Sequence, residues 1–170
     1  AVLMGIDSYS SYPLRGCVAD AMAMGDYLTE DLDVPRERIQ RLLAPSSHSD
    51  TYTDVGSIPS RANILSLLLS LAANPAIEHG DPIVIFFAGH GTRYLWSEED
   101  DFNEEQDVEP SQKFVEALCP VDRNTLDISG KLITDITDRE LNAILVHISR
   151  MKGNRITFIL DCCHVGSVTR

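Results

Sequence analysis

Basic residues are scarce in this chain. Fourteen Lys and Arg stand against 26 Asp and Glu, a formal net charge of −12. Phosphate backbones are bound through clustered Lys and Arg, so this balance argues against nucleic acid as the main partner. It suits basic ligands or cations, or simply a solvated acidic surface. Cysteine is scarce too: Cys17, Cys119, Cys162 and Cys163 are too few for a disulfide scaffold in 170 residues. A reducing, cytoplasmic setting is therefore expected. Long apolar runs are missing. The best of them, Ile64 to Ala73, is too short and too interrupted to span a bilayer. The opening AVLMGID has neither a basic leader nor a starting Met, so a trimmed N-terminus is expected. No CxxC or HxxxH spacing marks a metal site.

What is present is a globular composition, 44% hydrophobic and 24% charged, with length for one domain over residues 1–170. Strand-like and helix-like segments alternate. Ala1 to Ile6 reads as a buried strand in which Gly5 permits close backbone packing. Val18, Met22 and Leu28 share a face, predicting a helix over Cys17 to Leu32. Arg38 to Leu43 is a short strand candidate, followed by the polar loop APSSHSDTYTDVGSIPS. Ser60 is placed to cap a helix over Arg61 to Ala73. Asp81-Pro82 launches the β-branched and aromatic strand IVIFFAG. Residues 93–113 read as an acidic, turn-rich surface insertion, and Ala117 to Val121 as a further strand. Thr137 and Glu140 fit a capping box for a helix to about Arg150, and RITFILD is the last strand. Such alternation predicts an α/β sandwich, a mostly parallel sheet covered by helices on both faces.

Active sites of these folds lie at the carboxyl ends of strands. Two reactive clusters sit there: GHGT after IVIFFA, and DCCHVG after ITFIL. A thiolate attacks a carbonyl carbon where a neutral thiol does not, and a nearby imidazole can take its proton. His90 stands between Gly89 and Gly91, which leave room for a substrate chain and free a backbone N–H for an oxyanion. Zinc held by Cys162, Cys163, His164 or His90 is the rival chemistry. Alternation along ITFILDCC chooses only weakly between the two cysteines.

These motifs resemble a known family. FFAGHGT and ILDCCHVGS are similar to the histidine and cysteine motifs of caspase-like cysteine proteases, nearer to metacaspases and their fungal relatives than to animal caspases. MGIDSYSSYPLRGCVADA resembles that family's first strand and turn, and CPVD and ITDRELNAIL its middle region. The resemblance implies a caspase-like three-layer α/β sandwich with a mostly parallel central sheet. It also implies that this chain is the large-subunit portion, incomplete without a C-terminal small-subunit part of the same protein. It assigns His90 as general base and acid, Cys163 as nucleophile, and the amides of Gly91 and Cys163 as the oxyanion hole. Cys162 becomes a buried neighbour. Peptides and proteins would be the substrates, with no organic cofactor, no membrane and no nucleic acid. The family link also suggests cell-death or stress roles.

Specificity follows by the same resemblance. Asp20 and Asp161 match the acidic residues that hold Lys or Arg before the scissile bond, and Cys17 lies one helical turn from Asp20. Two carboxylates in a partly enclosed pocket attract a guanidinium or ammonium and reject an acidic side chain. Arg170 is itself a residue after which such an enzyme would cut. Many metacaspases need calcium, and Asp122 and Asp138 match two of its aspartates. Arg139 stands where a second consecutive aspartate is frequent, and a cation there repels a metal, so calcium is expected only if Asp135 or Glu140 substitutes. Val165 replaces a frequent serine. A caspase-like scaffold module without turnover is the competing reading.

Overall fold

The apolar start of the chain forms β1 (Val2–Ile6), buried at every residue. The structure is a computed structural model describing residues 1–46, 58–95 and 114–162, and the backbone of 164–165. After β1 come α1 (Cys17–Glu30), β2 (Gln40–Ala44), α2 (Arg61–Ala73) and β3 (Ile83–Ala88). Then follow β4 (Gly91–Leu95), β5 (Phe114–Leu118), β6 (Ile136–Thr137), α3 (Asp138–Lys152), β7 (Ile156–Asp161) and β8 (His164–Val165).

A parallel sheet runs in the order β2-β1-β3-β7. Side chains alternate across a strand, and here the alternation builds three layers. Val2, Met4, Ile6, Ile83, Ile85 and Phe87 point into one core with Ile64 and Leu68 of α2 and Leu141, Ile144 and Ile148 of α3. Leu3, Phe86 and Ala88 point the other way, against Ala21 and Leu28 of α1. Burying such large apolar side chains contributes about 1.5–3 kcal/mol each, so these two cores dominate stability. Gly5 lets α1 lie directly on β1: a Cβ there would sit 2.6 Å from the Cys17 carbonyl oxygen. This is the caspase-like layered arrangement, with the helices on both faces of a parallel sheet.

A second sheet, β6-β5-β4-β8, stands beside the first. β4 and β5 are antiparallel, as are β5 and β6, while β4 and β8 are parallel. β3 passes into β4 through Gly89 and His90 alone, so the turn carrying the histidine joins the two sheets.

Several boundaries differ from those read in the sequence. The expected insertion at 93–113 begins as strand: Arg93 to Leu95 belong to β4. Cross-strand contacts hold them, with the Arg93 guanidinium 4.2 Å from the Phe114 ring centroid and 3.8 Å from Glu116. The rest of that insertion, like 47–57 of the polar loop, lies outside the described residues. β5 begins at Phe114 and stops at Leu118, two residues before Pro120, which has no N–H for a ladder. α1 ends at Glu30, and Asp33 takes a left-handed φ of 53° that turns the chain away. A 3₁₀ turn at Arg36–Arg38 delays β2 to Gln40. The two N-terminal caps match expectation. Ser60 Oγ accepts from Asn63 N–H, and Thr137 and Glu140 form a complete capping box. No helix among the described residues is long and apolar enough to cross a membrane.

Candidate functional site

Both clusters singled out in the sequence lie at one edge of the molecule, and register brings them together. Ala88 at the end of β3 pairs with Asp161 at the end of β7. Gly91 at the start of β4 pairs with His164 in β8. The Gly89 N–H also donates to the Asp161 carbonyl at 3.2 Å. The segments flanking His90 are thus laid beside the segments flanking residue 163. Cys163 itself lies outside the described residues, as do Arg170 and the side chains of His164 and Val165.

His90 is half-buried and held at several points. Its Nε2 is 2.7 Å from the Tyr12 carbonyl oxygen. A carbonyl only accepts, so Nε2 carries the proton and Nδ1 of the neutral ring presents its lone pair. Nδ1 is buried and has no hydrogen-bond partner among the described residues. An imidazole in that tautomer is a ready proton acceptor on its Nδ1 side. Tyr12 delivers its carbonyl from a left-handed backbone, φ 57°. The His90 main chain is fixed as well: its N–H donates to the Tyr9 hydroxyl at 3.0 Å, and its carbonyl accepts from Cys119 N–H at 3.0 Å.

Of the expected specificity residues, Cys17 and Asp20 lie at the β1–α1 junction, and Asp161, at the end of β7, is near enough to act on the Cys17 thiol. Asp7, buried at the end of β1, accepts the Cys17 N–H at 2.9 Å and so caps the first turn of α1. Asp20 stands in that first turn, and Asp161 ends β7. Burial and the neighbouring carboxylates of Asp7, Asp20 and Asp161 push the Cys17 thiol up to about 12. Cys17 is therefore a neutral thiol among three carboxylates, and Asp20 and Asp161 are exposed to an arriving cation. Asp7 and the Tyr12 carbonyl were not singled out from the sequence. A carbonyl carries no side-chain signature, and Asp7 reads as an ordinary turn residue.

Cys162 is half-buried and packs against the larger core. Burial raises the Cys119 thiol to about 12, with the Asp135 carboxylate adding to it. Among the described residues, no three His, Cys, Asp or Glu are grouped to hold a metal. The calcium candidates have other partners. Asp122 Oδ1 accepts the Arg61 N–H at 2.8 Å, and Asp138 Oδ1 accepts the Arg139 N–H at 2.8 Å. Asp135 is gripped by Arg123 through Nε and a terminal nitrogen at 2.9 and 2.7 Å, and by the Tyr94 hydroxyl. Glu140 is committed to its capping box and to an ion pair with Arg61. Burial opposes its ionisation, but the Thr137 N–H and Arg61 outweigh that and lower its acidity range. Each of these carboxylates already serves a helix end or an arginine.

Comparisons with known proteins bear on the family and the fold. A family model described as metacaspase, peptidase C14 domain, matches residues 1–170. Metacaspase-3 of Arabidopsis thaliana is 31% identical over 169 residues, 99% of this chain and 40% of its own length. Metacaspase-1B of Aspergillus oryzae is 31% identical over 169 residues, 98% of this chain and 34% of its own. Metacaspase-1 of Kluyveromyces lactis is 28% identical over 169 residues, 99% of this chain and 33% of its own. The chain thus spans at most 40% of the length of these curated relatives. A crystal structure of a Geobacter sulfurreducens protein shares the fold with a TM-score of 0.62 at 21% identity, over 98% of this chain and 51% of that one.

Proposed function

Because the chain belongs to the metacaspase, peptidase C14 family, we propose that its parent protein is a cysteine endopeptidase cutting after Arg or Lys. His90 and Cys163 form the dyad. The observation that carries this reading is the register: Ala88 with Asp161 and Gly91 with His164, on either side of the two residues.

The chemistry follows from the ring's orientation. With Nε2–H donated to the Tyr12 carbonyl, the bare Nδ1 takes the Cys163 thiol proton. The thiolate adds to the scissile carbonyl carbon, and the amides of Gly91 and Cys163 stabilise the oxyanion. The imidazolium then protonates the leaving amine. Water, activated by the same imidazole, hydrolyses the thioester and returns the thiol. The Tyr12 carbonyl keeps its hydrogen bond throughout and stabilises the imidazolium's charge.

Selectivity rests on Asp20 and Asp161, beside Cys17 and with buried Asp7 behind them. A basic side chain also offsets the negative field that Asp161 places near the nucleophile. Since Asp122, Asp135, Asp138 and Glu140 all serve other partners, the reaction is proposed to need no calcium. A C-terminal part of the same protein is proposed to complete the sheet beyond β7, whose Leu160 is 51% exposed. The proposed location is the cytoplasm.

The test is hydrolysis of fluorogenic peptides ending in Arg, Lys or Asp by the full-length protein and its Cys163→Ala variant. Arg and Lys peptides should be cleaved and the Asp peptide left intact. The variant should lose at least about 10³-fold in kcat. Excess chelator should leave the wild-type rate unchanged. No cleavage by wild type, with or without calcium, would favour the scaffold alternative.

A further inference from the structure

Tyr9 touches His90 on more sides than any catalytic step requires. The ring is 5% exposed, and its centroid lies 4.6 Å from that of the imidazole, tilted by 49°. Its hydroxyl accepts the His90 N–H at 3.0 Å and donates to the Cys119 carbonyl at 2.9 Å. The Cys119 N–H returns a bond to the His90 carbonyl at 3.0 Å. These three bonds close a circuit, His90 to Tyr9 to Cys119 and back to His90. A phenol is suited to it, since the same oxygen must donate once and accept once.

Gly89 belongs to this arrangement. A Cβ on it would fall 2.6 Å from the Tyr9 hydroxyl oxygen, nearer than any other atom. That glycine, read from the sequence as room for substrate, is also room for the tyrosine. The phenol comes from the same loop that supplies the Tyr12 carbonyl, so one short segment grips both the main chain and the ring of His90.

We infer that Tyr9 is a positioning residue for the base, its hydroxyl fixing the His90 backbone and its ring setting the tilt of the imidazole. The inference rests on the dyad reading above. Tyr9→Phe keeps the ring but leaves the His90 N–H and the Cys119 carbonyl buried without their partner. A small displacement of a catalytic group is enough to cost about 10²-fold in rate.

Tyr9→Phe and Gly89→Ala, singly and together, would be made in the full-length protein. Two readouts would be taken: steady-state kinetics on an Arg peptide, and ¹⁵N NMR of histidine-labelled enzyme. Tyr9→Phe should lower kcat about 10–100-fold with KM within about twofold. Its His90 signals should move from a single Nε2-protonated tautomer to a mixture. Gly89→Ala should cost less in the Tyr9→Phe background than in wild type, because the hydroxyl it strikes is gone. An unchanged kcat with an unchanged tautomer would overturn the inference, and so would a loss confined to KM. Should Tyr9→Phe lose its fold, Gly89→Ala displaces the hydroxyl without removing it, and its His90 tautomer decides. If wild type cleaves no Arg peptide, the peptidase reading fails, and the tautomer measurement still judges Tyr9.

Discussion

A single carboxylate in the proposed specificity pocket has a measurable share of selectivity. A hydrogen bond to a charged partner is worth about 1.5–3 kcal/mol, roughly 10–100-fold in rate. Asp20→Asn and Asp161→Asn are each expected to lower kcat/KM for an Arg peptide by that factor. The loss for a neutral citrulline peptide should be smaller. Equal losses on the two peptides would remove these residues from recognition. At this scale the histidine was legible because glycines flank it at a strand end. Tyr12 was not, since its contribution is a main-chain oxygen presented by a left-handed backbone. Tyr9 was hidden too: its partners at 90 and 119 are distant in sequence, and DSYSSY reads as turn. The proposed nucleophile, Cys163, rests on the DCCH resemblance and not on geometry.

Elements with internal chemical signals were read nearly to the residue. Thr137 and Glu140 satisfy each other's backbone partners, and the helix they start runs Asp138–Lys152. Ser60 makes a single, longer bond, 3.3 Å to Asn63 N–H. Thr137→Ala is therefore expected to cost about 1 kcal/mol and Ser60→Ala less, by urea midpoints at constant m. A larger loss at Ser60 would reverse this ranking of the two caps. β4, β6 and β8 escaped the sequence reading for a physical reason. GTRYL is polar and half exposed, while IT and HV are two residues long, so their pairing is set by neighbours and not by their own pattern. β1, buried throughout, and β3, buried at all but Val84, owe nothing to context in that sense, as their apolar runs demand burial on both faces.

For the whole molecule, the buried Cys119 thiol and the half-buried Cys17 thiol couple stability to alkali. Cys17 and Cys119 are raised from 9.0 to about 12, and burial raises Tyr9 as well. The folded state therefore keeps protons that the unfolded chain releases. That stability is full below about pH 9 and is lost as pH climbs toward about 12. Urea midpoints should fall between about pH 8 and about pH 10.5, and Cys119→Ala should flatten the fall. A wild-type midpoint that holds steady across that range would contradict the burial of these groups. At neutral pH the same two thiols should resist alkylation, leaving the DCC segment as the reactive one.

One segment, residues 7–16, touches both halves of the proposed chemistry. At its start Asp7 accepts from Cys17, Tyr9 and Leu14 main-chain groups. In its middle Tyr9 and Tyr12 hold the histidine. At its end Gly16 leads into the helix that bears Asp20. Lengthening or shortening this segment would move the proposed selecting carboxylate, Asp20, and the proposed base, His90, together. In the proposed chemistry, preference and speed would then change together. A lineage that altered the pocket through this loop would have to rebuild its rate as well, whereas a change on β7, at Asp161, would leave the tyrosine grip on the base untouched.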